Sequence, residues 1–572
     1  MEGKKVKWGN IFILVLIIAA GIAAFYYKDP VKFQGLFGFG QAKVEKAAKV
    51  QEGASPSGKA VPATGKAVPA TGKAAPASAD KTTPAPVNKT TPTADQFIMG
   101  LDSWIGGTPV LIALNREYNK DYFLSMEVKY ITNDRDRITA LKDGVINVTE
   151  MTLPAFLRFQ QEFPGSGAII GITDFSRGAD GIIAKAGINT LNDMEGKAVS
   201  FVSDGIGKFI LNKFLRLTGL RYQDIKPIEH KEMGEVVGDL KSGKADLIVS
   251  WSPDMNLALK EINAAKPDSA KMLINTREVP DLVPTVLVAN RNTVEKYPKK
   301  VEAFLKTWYA SAKYILEKPD KAYDKLAELM SGNKDVYGNV SSADIKDSFA
   351  NIKLMSLNDN FTYFGLDGKD KKIDSIISDT IKTWQKFGDM PEGYTPGNIV
   401  SDSYIGSLFK ENDKELLVGA LDSSITGNAA QTTDEKKEFK KQDETSIEKN
   451  TQKIAKVDIP PVYYDSGKAA VKAESAAVLN EVESVLRQFP EFYLIIDAHT
   501  DTVGSEESNL KLSKDRAQTV MNYLVSKGVD GNRIVARGWG EYRLIIAQEN
   551  TEEDRAKNRR TEFILTRDAA AK

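Results

Sequence analysis

Two segments of this chain cannot build a hydrophobic core, and they fix where its folded domains can lie. Residues 40–93 are dominated by Pro, Ala, Lys and Thr and include the strings GKAVPAT, GKAVPAT and GKAAPAS. Such side chains bury too little surface to offset the entropy of ordering the chain. Residues 430–453 are charged and nearly free of large apolar side chains, which is typical of a linker or an exposed helix. The 572-residue chain is therefore predicted to fold into domains at 94–425 and 455–568.

Composition excludes several classes of function. The chain has no cysteine, which rules out disulfides, thiolate zinc sites, iron–sulfur clusters and a cysteine nucleophile. Two histidines, His230 and His499, are too few for a three-histidine metal site. Lys+Arg and Asp+Glu are both 77, so the chain lacks the basic excess of a nucleic-acid-binding protein. Because Walker, GxSxG and HExxH motifs are also absent, we predict a protein that is not an enzyme, has no metal or cofactor and binds no nucleic acid.

Residues 1–30 predict a short cytoplasmic start followed by a transmembrane helix. Residues 11–27 read IFILVLIIAAGIAAFYY, an apolar run without charge whose helix would rise about 25 Å. Lys4, Lys5 and Lys7 precede the run, which places the N-terminus in the cytoplasm and exports the remainder. A cleaved signal peptide shares these features, but the three aromatic residues that end the run favour an uncleaved anchor. The expected location is the inner membrane, crossed once, with the bulk of the chain in the periplasm.

In the middle domain, short apolar runs alternate with amphipathic helical patterns. Helical spacing is clear at 206–219 and at 298–317. The runs with strand character are VLIAL (110–114), MEVKYI (126–131), GAIIGI (167–172), GIIAKA (181–186), KAVSFV (197–202), ADLIVSW (245–251) and TVLVAN (285–290). This alternation predicts an α/β fold with largely parallel sheets arranged in two lobes.

Three longer strings in this domain are more specific. They are DFSRGADGIIAKAGINTLNDMEGKAVSFVSDGIGKFILNKFL (174–215), LKSGKADLIVSWSP (240–253) and NTVEKYPKKVEAFLKTWYASAKYILEKPDKA (292–322). In this order they resemble the periplasmic solute-binding proteins of the nitrate/sulfonate/taurine class, which serve ABC importers. The resemblance covers 97–400 and implies a two-lobed clam-shell that closes on a small ligand. The chain departs from the family at Asn147, where an Asp is usual.

Elementary chemistry suggests where a ligand would bind in such a domain. Ser203, Asp204 and Gly205 lie between a strand and a helix, and the free amides of a helix N-terminus hold small anions. Trp104 and Trp251 lie at strand or loop ends, where open α/β sheets bind ligands. We therefore predict that these five residues form a site for a small polar or anionic solute. Two alternatives stay open: a simple N-cap role for Ser203 or Asp204, and a core position for either tryptophan.

The C-terminal domain shows a compact pattern of strands and helices. Helical patterns occupy 476–489 and 509–527. The strand-like runs are PVYYD (461–465), FYLIIDAHTD (492–501), NRIVARGWG (532–540) and RTEFILT (560–566). This order predicts a two-layer α/β sandwich. Within it, HTDTVGSEESNLKLSKDRAQTVMNYLVSKGV, GWGE and RAKNRRTEF closely resemble the OmpA-like peptidoglycan-binding domain.

The OmpA-like resemblance implies non-covalent binding of the diaminopimelate in the peptidoglycan stem peptide. The acidic and basic ligand residues of the family fall on Asp501 and Arg516. The free end of diaminopimelate carries an ammonium and a carboxylate, which a carboxylate and a guanidinium can bind respectively. Thr500 and Asn509 are expected to add neutral hydrogen bonds. The alternative for Asp501 and Arg516 is a structural ion pair.

Together these features predict a membrane-anchored, peptidoglycan-tethered protein of the cell envelope that binds a small solute. Its expected partners are peptidoglycan, the solute, the inner membrane, and an ABC importer or another envelope protein. The alternative is a structural tether whose middle domain binds a protein instead of a solute. The lobe interface distinguishes the two hypotheses, because solute binding needs a polar pocket there and a tether needs none.

Overall fold

The computed structural model describes residues 96–410, 414–418, 437–464 and 467–569, all within one compact unit, Pro86–Lys572. The predicted membrane anchor and the Pro/Ala-rich linker lie outside these residues. Among the helices of the described parts, none has both the length and the apolar character needed to cross a bilayer.

The chain builds the middle domain in three passes. The first pass comprises β1 (Phe97–Leu101), α1 (Pro109–Asn115), α2 (Tyr118–Asp121), β2 (Met126–Tyr130), α3 (Asp134–Lys142), β3 (Val148–Thr152), α4 (Leu153–Glu162) and β4 (Gly167–Ser176). The second comprises β5 (Asp180–Lys185), β6 (Ala198–Val202), α5 (Ile206–Leu217), β7 (Lys226–His230), α6 (Met233–Ser242), β8 (Leu247–Trp251), α7 (Asp254–Ala265) and β9 (Ala270–Asn275). The third comprises β10 (Pro284–Asn290), α8 (Arg291–Lys296), α9 (Pro298–Glu317), α10 (Pro319–Ser331), α11 (Lys334–Tyr337), α12 (Ser342–Ala350), β11 (Ile352–Leu354), α13 (Leu357–Tyr363), α14 (Lys372–Lys386) and α15 (Ser403–Lys410).

These passes form two lobes, each around its own sheet. The first lobe has the strand order β11-β4-β10-β3-β1-β2, and the second has the order β7-β6-β8-β5-β9. The predicted two-lobed architecture is therefore present, but the sheets are mixed and not largely parallel. Strand β10 runs antiparallel to β3 and β4, and β5 runs antiparallel to β8 and β9. Both strands arrive directly from the other lobe, so no helical crossover forces them to run parallel to their neighbours.

Burial explains one wrong prediction in the first lobe. The run at 110–114 was expected to be a strand, but it lies in α1, where every residue from Pro109 to Ala113 is buried. A short run that is apolar all round is compatible with either a buried strand or a buried helix. Pro109 decides the outcome, because proline at the first helical position has the right φ and its missing N–H costs nothing there.

The C-terminal domain contains α16 (Glu444–Asn450), β12 (Thr451–Val457), α17 (Ala476–Gln488), β13 (Tyr493–His499), α18 (Glu506–Ser526), β14 (Ile534–Gly540), α19 (Glu552–Asn558) and β15 (Thr561–Asp568). Its sheet has the order β12-β15-β13-β14, with α18 packed on β13 and β14. This is the predicted two-layer α/β arrangement.

The first strand of this sheet does not come from the predicted segment. Residues 461–465 were expected to form it, but their described part makes only an isolated bridge between Tyr464 and Val471. Strand β12, which starts inside the segment predicted as a charged linker, takes the place at the sheet edge. Ile454 and Val457 are buried while the lysines beside them are exposed. Lysine is common on edge strands because it prevents pairing with other chains. The lysines of β12 interrupt its apolar residues, so the sequence alone does not indicate a strand.

The second lobe packs directly on the C-terminal domain. The side chain of Asn192 donates to the carbonyl of Lys456 at 3.2 Å and accepts from its amide at 2.8 Å. The rings of Phe214 and Phe489 lie 6.4 Å apart between centroids, and Arg567 forms an ion pair with Glu278. The two domains therefore share apolar and polar contacts instead of being joined by a linker alone.

Candidate functional site

A cavity of about 170 Å³ lies between the two lobes of the middle domain. Its walls are built from the carboxyl ends of β1, β2 and β3 in the first lobe and of β6 and β8 in the second. This is the position at which open α/β sheets bind ligands, because the loops that follow parallel strands meet at one edge.

The structure brings three of the five predicted solute-binding residues to this cavity. Trp104 and Trp251 line it from opposite lobes, and Asp204 lies in its wall. Trp104 is half-buried, and its indole N–H donates to both carboxylate oxygens of Asp174 at 3.2 Å. Ser203 and Gly205 face a neighbouring depression instead. The amide of Ser203 is already used, because it donates to the carbonyl of His230 at 3.0 Å.

The helix start that was predicted to hold an anion is next to the protein's own carboxylates. Gly205 precedes α5 with φ of 103°, and a Cβ atom at this position would lie 2.9 Å from Oδ2 of Asp134 in the first lobe. Asp204, in the same turn, forms an ion pair with Arg135 at 3.4 Å. Negative charge from two aspartates is therefore already present where the positive end of the helix dipole lies.

Acidic side chains dominate the cavity wall. Two basic residues, Arg137 and Lys231, line it, and the acidic residues that line it are Asp102, Asp134, Glu150, Asp180, Asp204, Glu232 and Asp254. Arg137 is buried and pairs with Asp102 at 2.9 Å and with Asp134 at 2.5 Å. One guanidinium thus faces several carboxylates, so the wall carries an excess of negative charge.

Glu150 is the most deeply placed of these carboxylates in the first lobe. It lies in the middle of β3 and is only 1% exposed. Its Oε1 accepts a hydrogen bond from the amide of Asp102 at 3.3 Å, while Oε2 has no hydrogen-bond partner among the described residues. Burial and the nearby Asp102 raise the pKa of Glu150 well above its ordinary value.

Asp180 occupies the hinge between the lobes. It is the first residue of β5, directly after the crossover from β4, and the amide of Thr276 in the second crossover donates to its carbonyl at 2.9 Å. Asp180 is 2% exposed, and its Oδ2 has no partner within the described part of the chain. Burial raises the pKa of Asp180 to about 7 and that of the neighbouring Asp174 to about 6.

The raised pKa of Asp180 predicts a measurable effect on stability. An acid whose pKa is higher in the folded state makes folding more favourable at low pH, and this contribution is lost as pH rises through about 7. Lowering the pH from 8 to 6 should therefore stabilise the ligand-free protein by about 1.4 kcal/mol through this group. Asp180→Asn removes the titration, so it should be more stable than the parent at pH 8, with a difference that shrinks towards pH 6.

The measurement is the denaturation midpoint of both proteins at pH 6, 7 and 8. Comparing the two proteins at each pH cancels the titration of all other groups. Asp136→Asn serves as the control, because Asp136 is exposed and lies outside the cavity wall. A difference between parent and Asp180→Asn that does not change with pH would contradict the prediction.

The family departure at Asn147 lies away from the cavity. Its side chain accepts from the amide of Ile98 at 2.7 Å and donates to the hydroxyl of Thr293 at 3.2 Å. It therefore joins β1 to α8 and is not among the residues that line the cavity.

A second candidate site lies at the end of β13 in the C-terminal domain. Asp501 and Arg516 are both buried there, 8% and 5% exposed. They do not form an ion pair with each other among the described residues; Oδ2 of Asp501 instead accepts from Arg559 at 2.6 Å. Nε of Arg516 donates to the carbonyl of Lys468 at 3.1 Å, and its guanidinium lies 4.7 Å from the ring centroid of Tyr464. Each charge is thus held by a different partner, which leaves both able to bind a zwitterion.

The two neutral residues predicted for this site adjoin Asp501. The amide group of Asn509 donates to the carbonyl of Asp501 at 3.2 Å and to Glu541 at 2.7 Å. Thr500 is buried, and its hydroxyl has no hydrogen-bond partner in the described residues. The loop after β13 carries Thr500 and Asp501, and α18 carries Asn509 in its first turn and Arg516 near its middle.

Sequence reasoning missed most of the acidic cavity wall. Glu150 carried a usable signal, because a carboxylate inside the buried string VTEMT is rarely found without a functional or pairing reason. Asp102 and Asp180 each lie at one end of a buried strand but have no motif of their own. The pairing of Arg559 with Asp501 joins positions 58 residues apart, which spacing alone cannot reveal.

Comparison with known proteins finds a family model in each of two parts of the chain. Residues 463–559 match the OmpA family model, and residues 106–322 match the model described as NMT1/THI5 like. The chain therefore contains both types of domain that the sequence strings indicated.

The curated relatives match the C-terminal domain. Outer membrane protein A of Bordetella avium is 41% identical over 101 residues, which are 18% of this chain and 52% of that protein. Probable lipoprotein YiaD of Escherichia coli (strain K12) is 36% identical over 105 residues, 18% of this chain and 48% of that protein. Peptidoglycan-binding protein ArfA of Mycobacterium tuberculosis (H37Rv) is 37% identical over 105 residues, 18% and 32% respectively. The chain thus spans about half or less of the length of these relatives.

Several solved structures resemble part of the chain. The alkanesulfonate-binding protein SsuA from Xanthomonas axonopodis, bound to MOPS, has a TM-score of 0.44 and 14% identity over 55% of this chain and 99% of its own. The periplasmic nitrate-binding protein NrtA from Synechocystis has a TM-score of 0.45 and 13% identity over 59% and 94%. The desulfurization enzyme DSZB has a TM-score of 0.39 and 12% identity over 55% and 99%.

Proposed function

We propose that this chain, in which an NMT1/THI5-like domain precedes an OmpA-family domain, is an exported envelope protein that holds a solute-binding domain at the peptidoglycan. The C-terminal domain would bind the diaminopimelate of the stem peptide. The middle domain would bind a small solute between its lobes. The apolar, charge-free run at 11–27, with lysines before it, supports a single-pass anchor in the inner membrane.

One observation carries the peptidoglycan half of the proposal. Asp501 and Arg516 are buried at the same end of the domain, yet each is paired with a different group and not with the other. In a structural ion pair the two charges would satisfy one another. Separate partners leave a carboxylate for an ammonium group and a guanidinium for a carboxylate, which are the two charges at the free end of diaminopimelate.

The cavity supports solute binding over the alternative of a purely structural tether. The lobe interface encloses about 170 Å³ of space lined by charged and aromatic side chains. Buried charge without a full set of partners is costly, so it is retained mainly where it binds something. A domain that served only as a scaffold would gain stability by filling this interface with apolar side chains.

The test compares two kinds of cell wall. The purified full chain is sedimented with sacculi of diaminopimelate-type and of lysine-type peptidoglycan. Lysine lacks the carboxylate that Arg516 would bind, so we expect retention on the first kind only. Free meso-diaminopimelate should compete for it. Equal retention on both kinds, or no retention on either, would exclude the proposed wall contact.

A further inference from the structure

The residues that line the interlobe cavity indicate the charge of the solute. This inference rests on the proposed solute-binding function. Seven acidic and two basic residues line the interlobe cavity. Lys231 and Glu232 are both exposed and neighbours in sequence, so their charges largely offset each other at the rim. The deeper wall is left with Arg137 as its basic group against carboxylates from both lobes.

The acidic character is not explained by internal pairing. Arg137 forms ion pairs with Asp102 and Asp134 and so provides the counter-charge for these two carboxylates. Glu150 and Asp180 are 1% and 2% exposed, and each has one carboxylate oxygen, Oε2 and Oδ2 respectively, without a partner in the described residues. A buried acceptor without a donor costs free energy, and a ligand that supplies an N–H group would remove that cost.

We propose that the cavity binds a small organic cation that carries N–H donors, such as a protonated amine or a guanidinium, at the buried carboxyl groups of Glu150 in the first lobe and Asp180 at the start of β5 in the second. The N–H donors of such a ligand would satisfy a free acceptor and offset the negative charge of the wall. The cavity volume is far larger than a single metal ion requires, and Trp104 and Trp251 give its walls aromatic surface. Aromatic side chains favour organic cations through packing and cation–π attraction.

The same geometry disfavours an anionic solute. The helix end that would attract an anion has Asp134 against Gly205 and Asp204 in its own turn. A sulfonate or nitrate in the cavity would face Glu150 and Asp180, while the guanidinium of Arg137 already pairs with two carboxylates and Lys231 lies beside Glu232 at the exposed rim. The sequence predicted a polar or an anionic solute. The cavity wall favours the polar alternative, as a solute that carries a positive charge.

Contacts with both lobes would also couple the cation to closure. Glu150 and Trp104 belong to the first lobe, and Asp180 and Trp251 belong to the second, where they are paired on β5 and β8. A cation that contacts carboxyl groups of both lobes would stabilise the closed arrangement.

The test is isothermal titration calorimetry on the purified full chain at pH 8. The probes are n-butylammonium, 1,4-diaminobutane and butylguanidinium as cations. The comparison ligands are 1-butanol as a neutral analogue, propane-1-sulfonate and nitrate as anions, and CaCl2 as a metal ion. We expect binding of at least one organic cation and none of the comparison ligands.

Variants locate the site. Glu150→Gln and Asp180→Asn should each weaken binding of the cation by about tenfold or more, because each removes a charge-assisted hydrogen bond. Asp136→Asn, on the exposed side of α3, should change the affinity by less than twofold. The melting temperature of each ligand-free variant checks folding, and it should not fall below that of the parent, because both substitutions remove an uncompensated buried charge.

The outcomes separate this proposal from the proposed function. Binding of propane-1-sulfonate or nitrate without any organic cation would overturn the cation proposal and leave solute binding in place. Binding of CaCl2 alone, or of 1-butanol as strongly as n-butylammonium, would also overturn it. A chain that sediments with diaminopimelate-type sacculi but binds none of the ligands would exclude both the cation proposal and the solute-binding half of the function.

Discussion

Asp501→Ala and Arg516→Ala are each expected to weaken binding of the full chain to diaminopimelate-type sacculi by about 30-fold or more. Removing one partner of a desolvated charge pair in a complex costs about 2 kcal/mol or more, which corresponds to that factor. Both side chains are nine-tenths or more buried, so solvent screens their interactions only weakly. Co-sedimentation of the purified variants with sacculi over a range of protein concentrations measures the loss.

The double variant provides a sharper test than either single change. If Asp501 and Arg516 bind the ammonium and the carboxylate of the same diaminopimelate end, their contributions are coupled and the double variant should lose less than the sum of the two. Asp515→Ala and Arg487→Ala are matched controls, because both side chains are exposed and lie elsewhere on the same domain. If Asp501→Ala and Arg516→Ala are retained on sacculi as strongly as the wild type, the site lies elsewhere.

Arg559 is expected to act through Asp501. It donates to Oδ2 of Asp501 at 2.6 Å and also pairs with Glu552 on α19. In Arg559→Ala the carboxylate of Asp501 keeps its charge but loses the group that orients it. Binding to sacculi should therefore fall less than in Asp501→Ala, and Arg559→Lys should restore part of it. Loss in Arg559→Ala equal to that in Asp501→Ala, without rescue by lysine, would instead place Arg559 in contact with the ligand.

Arg537→Ala is expected to destabilise the C-terminal domain by about 3–5 kcal/mol, the cost of leaving a buried charge without its partner. Arg537 is 1% exposed and binds Asp497 through two parallel hydrogen bonds, from Nε to Oδ1 at 2.6 Å and from Nη2 to Oδ2 at 2.7 Å. A third bond, from Nη1 to Glu448 at 2.6 Å, attaches α16 to the sheet. The substitution leaves Asp497 buried between β14 and β15 without its counter-charge.

Hydrogen exchange on the intact chain measures this effect domain by domain, which a single unfolding curve of a multidomain protein cannot do. Exchange of the β13 and β14 amides should accelerate by about 100-fold or more, since each 1.4 kcal/mol corresponds to a factor of ten. The lobes should change much less. Arg487→Ala is the control, because its ion pair with Glu483 is exposed and such pairs contribute about 0–1 kcal/mol.

A second variant distinguishes charge from packing at this position. Replacing both members together, with Arg537→Met and Asp497→Leu, removes the pair without leaving an unpaired charge, and such replacements are often neutral. We expect the double variant to recover most of the lost protection. Equal loss in Arg537→Ala and in the double variant would mean that side-chain packing, and not the ion pair, stabilises the sheet.

Local patterns in the sequence determined much of the secondary structure. The helices α5, α9 and α18 follow from apolar spacing over three turns or more, a pattern long enough to exclude a strand. The resemblance to the OmpA-like domain indicated Asp501 and Arg516, which lie within one strand–helix unit whose geometry is local. The short buried run at 110–114 and the lysine-rich β12 were misassigned, since tertiary burial decides such segments.

Tertiary structure alone decided the charge of the cavity and the pairing around Asp501. Asp102 and Glu150 are 48 positions apart in the first lobe, and Asp180 begins a strand of the second lobe, yet all three line one cavity. They meet because strand ends converge at one sheet edge and two crossovers bring the second lobe over it. The charge around a site depends on which groups lie close to it in space. It therefore cannot be read from any continuous stretch of the sequence. For the same reason the sequence predicted an anion at the start of α5, and the fold placed Asp134 there.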